Sequence, residues 1–382
     1  MTQHAWDSAK NILCIRLDYL GDVLMTTPAI RALRQSVPGR RITLLTSPSG
    51  AAVARFIPEI DDVLVYTPPW LKSSPVLAPE YQLQTVETLK ALDFDAAVLF
   101  TAYSQNPLPT AMICHLAHIP LRLAHCHENP YQLLTDWVLD PEPTQGVRHE
   151  VQRQLDLVRT IGATTHDQHL SFAVRDEDRR WLRRQLESRA SSRPWIMLHP
   201  GATAASRRYP AALWAEVLAQ LHETLEANLM VTGDANEIEL AEAIIAASGV
   251  PSTSVRLLAG ALDLGQLGAA VELADVVVSN NTGPAHLAAA VGTPVVDLYA
   301  LTNPQHTPWQ VASEVLFHDV PCRFCYKSIC PQGHGDCLAK VAPGQVVAAV
   351  QRLLARQPAT WRMPPLNPPP HERLITAPIA GR

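Results

Sequence analysis

An aspartate follows a glycine just after the first apolar segment of the chain. Residues 11–17 (NILCIRL) form that segment, and Asp18, Gly21 and Asp22 come directly behind it. A carboxylate in such a loop could accept the proton of an attacking hydroxyl, as a general base does. Aspartate is also a preferred capping residue, so Asp22 could equally be a helix cap, a role that is open to Asp18 as well.

A second segment has the composition of a phosphate-binding loop. In residues 198–210 (LHPGATAASRRYP), small residues precede Arg207 and Arg208, and a helix-like pattern follows. Arginine matches phosphate with paired donors, and the N-terminus of a helix attracts anions. The segment predicts that at least one of the two arginines binds phosphate, with two solvent-exposed charges as the alternative.

A third loop, residues 231–237 (VTGDANE), follows another apolar segment. A strand, a glycine, an acidic residue and then a helix suit the recognition of a ribose or of a base edge. Asp234 or Glu237 could accept hydrogen bonds from sugar hydroxyls. Helix capping would explain Asp234 equally well.

A fourth loop lies in residues 279–290 (SNNTGPAHLAAA). Thr282 and Gly283 offer backbone N–H groups at a helix start, and His286 follows one turn into that helix. These groups indicate a contact with phosphate or ribose, since helix N-termini bind anions. A lone histidine is more often structural, so His286 depends on its neighbours for this interpretation.

Predicted strands and helices alternate around these loops in both halves of the 382-residue chain. The predicted strands are 11–17, 41–46, 62–66, 96–100, 195–198, 228–232, 255–258, 276–279 and 295–298. This alternation predicts an α/β fold with two Rossmann-like, doubly wound parallel-sheet domains facing a cleft. Ligands of such sheets bind beyond the carboxyl ends of the strands.

The predicted boundaries follow from changes in composition. They are an N-terminal domain over 1–176, a polar, arginine-rich linker over 177–194, a C-terminal domain over 195–357 and a proline-rich tail over 358–382. A length of 382 residues exceeds what one hydrophobic core usually serves, which supports two domains. The tail contains three consecutive prolines and is expected to be extended, with a proline-rich docking ligand as the less favoured alternative.

Charge and hydropathy exclude several classes of protein. Charged residues make up 18% of the chain and the net charge is -5, which argues against a nucleic-acid partner. Arg31, Arg34, Arg40 and Arg41 are candidates for a local basic patch. The chain opens without a signal-like segment and has no run of about 18 apolar residues, so we expect a cytoplasmic protein.

Four of the seven cysteines lie close together near the end of the second predicted domain. They are Cys322, Cys325, Cys330 and Cys337. Four thiols at this spacing could coordinate a structural zinc ion tetrahedrally. The spacing lacks the paired short knuckles of common zinc sites, so reduced thiols that pack a loop are the alternative.

The loops together resemble the motifs of glycosyltransferase family 9, the lipopolysaccharide heptosyltransferases. The matching segments are 20–23 (LGDV) with 27–29 (TPA), 199–201 (HPG) with 207–210 (RRYP), and 281–288 (NTGPAHLA) with 292–294 (GTP). The resemblance covers the chain from about residue 12 to residue 354, and the motifs occur in the family's order. The cysteine cluster is also similar to one that many members carry.

The resemblance implies a GT-B fold whose C-terminal domain binds the donor and whose N-terminal domain binds the acceptor. It implies an inverting transfer of heptose from ADP-heptose to a lipopolysaccharide core or related glycan, without a catalytic metal or other cofactor. The enzyme would work in the cytoplasm, with peripheral contact at the inner face of the inner membrane as a further expectation. Cationic and N–H groups would stabilise the charge that grows on the ADP leaving group.

Roles for individual residues follow from the same resemblance. Asp22 would be the general base on the acceptor hydroxyl, and Arg207 would bind the diphosphate. The full donor-binding set implied is Thr203, Arg207, Arg208, Glu237, Asn281, Thr282, Gly283 and His286. Asn281 departs from the family, whose motif usually has aspartate there, so the donor sugar or nucleotide could differ. The loop 302–309 (TNPQHTPW) could line the sugar pocket.

Three other functions stay open at this point. One is a transferase of the same fold that uses another nucleotide sugar, and another is a non-catalytic nucleotide-sugar-binding protein. Retention of Asp22 argues against the second. The third is a nicotinamide-dependent oxidoreductase, which is least favoured because no Gly-x-Gly-x-x-Gly follows the first strand.

Overall fold

The computed structural model describes residues 2–71, 77–186 and 193–356. These residues form two compact units, the first ending at Ser171 and the second beginning at Phe172. The predicted proline-rich tail over 358–382 lies outside the described residues. Within the described ranges, no helix combines the length and the hydropathy that crossing a membrane requires.

The first unit is built on a parallel six-stranded sheet with the strand order β3-β2-β1-β4-β5-β6. Its strands are β1 (Asn11–Arg16), β2 (Arg41–Thr46), β3 (Asp62–Val65), β4 (Ala96–Leu99), β5 (Leu121–Cys126) and β6 (Asp136–Leu139). Its helices are α1 (Thr2–Ser8), α2 (Leu20–Ser36), α3 (Pro48–Ala54), α4 (Pro79–Ala91), α5 (Leu108–Leu116) and α6 (Glu150–Arg159). This is the strand order of a Rossmann-like sheet, in which chain direction across the sheet reverses between β1 and β4.

The second unit repeats this plan in a sheet with the order β12-β11-β10-β7-β8-β9. Its strands are β7 (Trp195–His199), β8 (Asn228–Val231), β9 (Val255–Leu257), β10 (Val276–Asn280), β11 (Val295–Leu298) and β12 (Ser313–Leu316). Its helices are α7 (Asp176–Leu186), α8 (Ala211–Thr224), α9 (Ile238–Ser248), α10 (Leu264–Leu273), α11 (Gly283–Val291), α12 (Asp336–Ala339) and α13 (Pro343–Arg356). The reversal point lies between β7 and β10. The two parallel sheets confirm the predicted α/β class with two Rossmann-like halves.

Central strands are continuous apolar runs because helices cover both of their faces. In β1, every residue after Asn11 is buried, and all four residues of β4 and of β8 are buried. Such runs are typical of parallel sheets, where alternation between apolar and polar residues disappears. At the carboxyl end of β1 the run closes on the charged, buried Arg16.

The long helix α2 carries Asp22 in its first turn and Pro28 in its interior. A proline lacks the N–H group that would donate to the carbonyl four residues earlier. The hydroxyl of Thr27 supplies the missing donor, since its Oγ1 lies 2.7 Å from the carbonyl oxygen of Leu24. The hydroxyl oxygen of Thr27 also accepts the N–H group of Ser171 at 2.9 Å. The helix therefore continues past the proline.

The linker over 177–194 stays a prediction, and its described part up to Leu186 is helical. Helix α7 covers Asp176–Leu186 and packs on α10 of the second unit. The guanidinium of Arg179 binds the carboxylate of Glu272 on α10, with Nε 2.6 Å from Oε2. The described part of the predicted linker up to Leu186 therefore belongs to the second unit, which starts at Phe172.

Candidate active site

The first unit gathers three carboxylates around one buried guanidinium at the carboxyl end of β1. Arg16 Nη2 lies 3.2 Å from Asp22 Oδ1, its Nε lies 2.9 Å from Asp18 Oδ2, and its Nη1 lies 2.7 Å from Glu150 Oε1. The side chain of Arg16 is fully buried. Burial alone would lower the pKa of Arg16, but Asp18, Glu150 and Asp22 outweigh that effect and raise it. Arg16 is therefore a permanent cation.

Asp22 is held from two sides and remains accessible. Its Oδ1 faces Arg16, and its Oδ2 accepts the N–H group of Tyr19 at 3.2 Å, which closes the first turn of α2. The capping role considered for Asp22 is thus real, and it falls to Asp22 rather than to Asp18. Its side chain is 18% exposed. A carboxylate oxygen can accept more than one hydrogen bond, so Asp22 retains capacity to take a proton from a hydroxyl.

Asp18 turns toward β4 and the loop behind it. Its Oδ1 accepts a hydrogen bond from Gln105 Nε2 at 2.5 Å, while Oδ2 pairs with Arg16. Burial raises the pKa of Asp18 to about 6; the carboxylates of Asp22 and Glu150 add to this effect, and Arg16 and Gln105 oppose it. Sequence reasoning noted Asp18 only as a possible cap. The structure makes it part of the charged cluster.

Glu150 closes the cluster from the sequence-distant helix α6. It is 1% exposed and shares its Oε1 between Arg16 and Gln154 Nε2, which lies 2.8 Å away. One turn later, the buried Arg153 binds Asp140 at 2.6 Å and Glu142 at 2.5 Å. Sequence reasoning missed these groups, because a buried acid on an amphipathic helix carries no signal of its own.

In the second unit, loops from three neighbouring strand ends converge. They follow β7, β8 and β10, which are adjacent in the sheet. Asn280, the last residue of β10, is fully buried. Its Nδ2 donates to the carbonyl oxygens of Pro200 and Gly201 at 2.7 and 3.2 Å, and its Oδ1 accepts the N–H group of Tyr209 at 3.0 Å. This side chain fixes both ends of the predicted phosphate-binding loop.

The two arginines of that loop are placed differently. Arg208 donates from Nε to the carbonyl oxygen of Ala202 at 2.7 Å. Arg207 ends a short 3-10 helix over Ala205–Arg207, is partly exposed, and forms no salt bridge with any residue that the structure describes. Thr203 is exposed on the same loop. Arg208 is exposed and likewise forms no salt bridge with a described residue, so both arginines of this loop are available to an anion.

Glu237 packs directly against the glycine of the same loop. A Cβ atom at Gly201 would lie 2.0 Å from the carboxyl carbon of Glu237. Glu237 Oε2 accepts the N–H group of Asp234 at 3.0 Å, so both acids cap the 3-10 helix that precedes α9. Burial raises the pKa of Glu237. The loops after β7 and β8 are thus in contact.

His199 lies beside Glu237 without forming an ion pair at neutral pH. Its Nε2 is 3.8 Å from Glu237 Oε2, and its Nδ1 is 3.0 Å from the hydroxyl of Thr232. Burial lowers the pKa of His199 to about 4, and Asp234 only partly offsets this. The imidazole is therefore neutral and acts as a hydrogen-bonding spacer between β7 and β8.

Asn281 uses its amide hydrogens inside the protein. Its Nδ2 donates to Asp297 Oδ2 at 3.2 Å and to the carbonyl oxygen of His306 at 2.9 Å. Burial raises the pKa of Asp297 to about 7, against the opposing effects of Asn281 and Arg207. Asn281 thus ties β10 to β11 and to the loop 302–309, and its Oδ1 is the atom left for other contacts.

The start of α11 presents the backbone groups expected from the sequence. Thr282 is its N-cap residue and Gly283 its first residue, and both are partly exposed. His286 is buried one turn later, with its ring 6.4 Å from that of His306 and nearly perpendicular to it. The structure therefore gathers Arg207, Thr282 and Gly283 on the carboxyl-end side of the second sheet, with His286 behind them.

The cysteine segment supports these loops but is not seen as a metal site. Among residues 2–71, 77–186 and 193–356, no three His, Cys, Asp or Glu side chains are arranged to hold a metal ion. The structural zinc ion considered as one possibility for Cys322, Cys325, Cys330 and Cys337 is therefore not supported. The segment does bind the phosphate-loop residue Ser206, whose N–H and Oγ donate to the carbonyl oxygens of Ser328 and Lys327 at 3.0 and 2.7 Å.

The basic patch considered at the four arginines of the first unit does not exist as a free surface. Three of them bind carboxylates: Arg31 Nε to Glu59 at 2.8 Å, Arg34 Nη1 to Asp61 at 2.6 Å, and Arg41 Nη2 to Asp62 at 2.6 Å. Arg40 is buried and donates to main-chain carbonyls. The four guanidinium groups therefore bind carboxylates or main-chain carbonyls within the first unit.

Comparisons with known proteins agree with this arrangement. The family model for glycosyltransferase family 9 (heptosyltransferase) matches residues 83–334, more than half of the chain. The chain is 23% identical to lipopolysaccharide heptosyltransferase 3 of Escherichia coli, over 87% of this chain and 96% of that protein. It is 25% identical to lipopolysaccharide heptosyltransferase 2 of E. coli K12, over 91% and 99%.

Solved structures show the same fold. The glycosyl transferase family 9 protein of Veillonella parvula aligns with a TM-score of 0.73 at 22% identity, covering 91% of this chain and 98% of that one. The ADP-heptose lps heptosyltransferase II of E. coli aligns with a TM-score of 0.71 at 24% identity, covering 91% and 99%. This likeness confirms the predicted GT-B fold. The chain is a member of glycosyltransferase family 9.

Proposed function

We propose that this protein is an inverting glycosyltransferase that transfers heptose from ADP-heptose to a lipopolysaccharide core or related glycan, with Asp22 as general base. The observation that carries the proposal is the accessible Asp22 carboxylate at the carboxyl end of β1, oriented by Arg16 and by the Tyr19 N–H group. The names of the heptosyltransferase relatives support the sugar and the acceptor.

The second unit supplies groups suited to a nucleoside diphosphate. Arg207 offers an unpaired guanidinium within the described chain, and Thr282 and Gly283 offer N–H groups at the start of α11. A guanidinium and a helix N-terminus both favour a diphosphate. The proposal therefore assigns the donor to the second unit, with Thr203, Arg208, Glu237, Asn281 and His286 as its surrounding residues.

The proposed reaction is a single displacement. An acceptor hydroxyl oxygen forms a bond to the anomeric carbon while the bond from that carbon to the diphosphate oxygen breaks, which inverts the anomeric centre. The hydroxyl proton passes to Asp22, and the electron pair of the broken bond leaves on ADP. Charge grows on the leaving diphosphate, where Arg207 and the α11 N–H groups stabilise it. Metal independence and a cytoplasmic, membrane-peripheral location stay predictions.

The acceptor is assigned to the first unit, because that unit holds the base. A transferase of the same fold that uses another nucleotide sugar is the second candidate. It is favoured by one observation, the neutral amide of Asn281 at a position where the family motif usually has a carboxylate. A non-catalytic binding protein is less favoured, since Asp22 is present and oriented.

The test combines binding with turnover. Calorimetry of the purified chain against ADP, UDP, GDP and ADP-heptose is expected to show binding of ADP and ADP-heptose alone.

Asp22→Asn is expected to bind ADP-heptose as the wild type does and to lose about 10²- to 10⁴-fold in kcat, the usual contribution of a general base. Asp136→Asn, which removes a carboxylate on β6, is the matched control. Full turnover by Asp22→Asn would refute the base assignment, and selective binding of UDP or GDP would refute the donor.

A further inference from the structure

The first unit contains a cavity whose lining includes Asp18. Its volume is about 270 Å³, and it lies at the carboxyl ends of β1 and β4. Besides residues of these strand ends, Trp70, Gln105 and Asn106 line it. Small-molecule sites start at roughly 300 Å³, so this cavity has the size for one sugar ring rather than for a longer glycan.

Asp18 and Gln105 form a paired acceptor and donor on the cavity wall. Gln105 Nε2 donates to Asp18 Oδ1 at 2.5 Å, and Gln105 Oε1 accepts the N–H group of Ala102 at 2.9 Å. The amide is therefore oriented from both ends. Its Nε2 has a second hydrogen, and each oxygen of Asp18 can accept a further hydrogen bond. The pair can therefore bind two neighbouring hydroxyl groups.

Trp70 provides an aromatic surface for the same cavity. It is held by Tyr66, whose ring lies 6.0 Å away at 61°, and Tyr66 in turn stacks on Tyr81 at 5.9 Å. Trp70 is 36% exposed. A rigid aromatic side chain that keeps part of its surface open offers an apolar face for the C–H groups of a sugar ring.

The charge of the cavity discriminates between ligands. Within the described chain, Asp18 and Glu150 both form their ion pairs with Arg16, so these two acids carry one excess negative charge when both are ionised. The described lining residues include no lysine or arginine. Arg16 is already engaged by these acids, so an anionic group brought next to Asp18 would meet a like charge with no further cation among the described lining residues, which disfavours binding.

We propose that Asp18 and Gln105 bind hydroxyl groups of an uncharged acceptor sugar ring that packs on Trp70, and that the cavity rejects the same ring when it carries phosphate. The inference rests on the proposed function, because that function makes a glycan the acceptor. It adds a specificity-determining residue, Asp18, which acts by charge, and a binding residue, Gln105, which acts by hydrogen bonding.

The experiment is a calorimetric titration of the full chain without donor. The probes are one deacylated lipopolysaccharide core oligosaccharide that carries heptose phosphates and the same oligosaccharide after phosphatase treatment. We expect wild type to bind the phosphate-free probe about tenfold more tightly or better, a difference of one unfavourable charge contact. Asp18→Asn should reduce that ratio to about threefold or less. Gln105→Ala should weaken both probes while the ratio stays, and Asp136→Asn should change neither.

Each result decides the inference. An unchanged ratio in Asp18→Asn, or equal or tighter binding of the phosphorylated probe by wild type, would overturn it. Failure of wild type to bind either probe would also overturn it. The proposed function would then still be tested separately, by the measurements of ADP-heptose binding and turnover. Conversely, a chain that discriminates between the probes but binds no nucleotide sugar would contradict the proposed function alone. A single cooperative thermal transition in Asp18→Asn confirms that the variant is folded.

Discussion

Arg16 and Asp22 are joined by a hydrogen bond of 3.2 Å between Nη2 and Oδ1, and the same guanidinium also binds Asp18 and Glu150. One buried cation thus orients the proposed base and compensates a buried acid from α6. A charge inside a protein is tolerated only when it is paired, so Arg16 is needed for the fold as well as for the site.

Replacement of Arg16 by methionine is expected to destabilise the protein by about 3–5 kcal/mol, the usual effect of breaking a buried ion pair. The cause is that Glu150 would remain buried without its partner. Denaturant unfolding measures the change. Arg16→Lys should recover part of the loss, because it keeps the charge but offers fewer donors. Arg41→Met, at an exposed ion pair, should cost at most about 1 kcal/mol. An Arg16→Met variant as stable as Arg41→Met would contradict this account.

Asp18 should make stability fall as pH rises through the range 4 to 6. Its pKa is raised to about 6 by burial, whereas an unfolded chain has a value near roughly 3.9. Between these values the native state holds a proton that the unfolded state has lost, so its stabilising effect is complete below pH 4 and disappears as pH passes 6.

Asp18→Asn cannot titrate and should lack this effect. The free energy of unfolding of the variant minus that of wild type should therefore increase by about 2–3 kcal/mol from pH 4 to pH 7. Urea unfolding at several pH values measures it, with Asp136→Asn as the variant that should show no such trend. A difference between wild type and Asp18→Asn that does not change with pH would show that Asp18 titrates normally.

Arg207→Gln should weaken binding of ADP by about 10- to 100-fold, since a hydrogen bond to a charged group contributes roughly 1.5–3 kcal/mol. The thermal midpoint without ligand should stay the same, because Arg207 forms no salt bridge within the described chain. Arg193→Gln, a cation elsewhere in the second unit, should leave ADP binding unchanged. Equal ADP affinity in Arg207→Gln and wild type would remove Arg207 from the diphosphate site.

Gly201→Ala should destabilise the second unit through Glu237. The added Cβ atom would lie 2.0 Å from the Glu237 carboxyl carbon, which forces that side chain away from the N–H group of Asp234. The expected loss is about 0.5–2 kcal/mol, the usual effect of removing a helix cap. In a Glu237→Ala background the same substitution should cost much less, and a double-mutant cycle measures the difference. Additive losses would indicate that the two residues do not interact.

Apolar segments made most of the fold predictable. The central strands are continuous apolar runs, and the strands predicted from them are found within one or two residues of their predicted ends. Three strands were missed. One of them, β5 (Leu121–Cys126), is buried inside the sheet, but Arg122 and His125 interrupt its apolar residues. The other two lie at sheet edges and have weaker patterns. β6 (Asp136–Leu139) is partly exposed along its length, and no residue of β12 (Ser313–Leu316) is fully buried. Strands at the edge of a sheet have fewer neighbours, so their sequences are less constrained.

The site was predictable only where it is local. The Gly21-Asp22 pair and the loop that ends at Arg207 are short motifs, and both lie at the carboxyl ends of strands, as predicted. The bond between Arg16 and Glu150 joins residues 134 positions apart, and no spacing rule connects them. The same holds for Asn280, whose importance comes from contacts with a loop about 80 residues earlier.

Asn280 also determines which substitutions the predicted phosphate-binding loop, residues 198–210, can accept. It binds this loop only through main-chain atoms, the carbonyl oxygens of Pro200 and Gly201 and the N–H group of Tyr209. Every residue type offers a carbonyl oxygen and every type except proline offers an N–H group, so these three hydrogen bonds do not depend on the side chains of the loop. Substitutions at 203, 204, 205 and 207 therefore leave the attachment to β10 intact, whereas substitutions of Ser206 or Arg208 remove further side-chain hydrogen bonds of the loop.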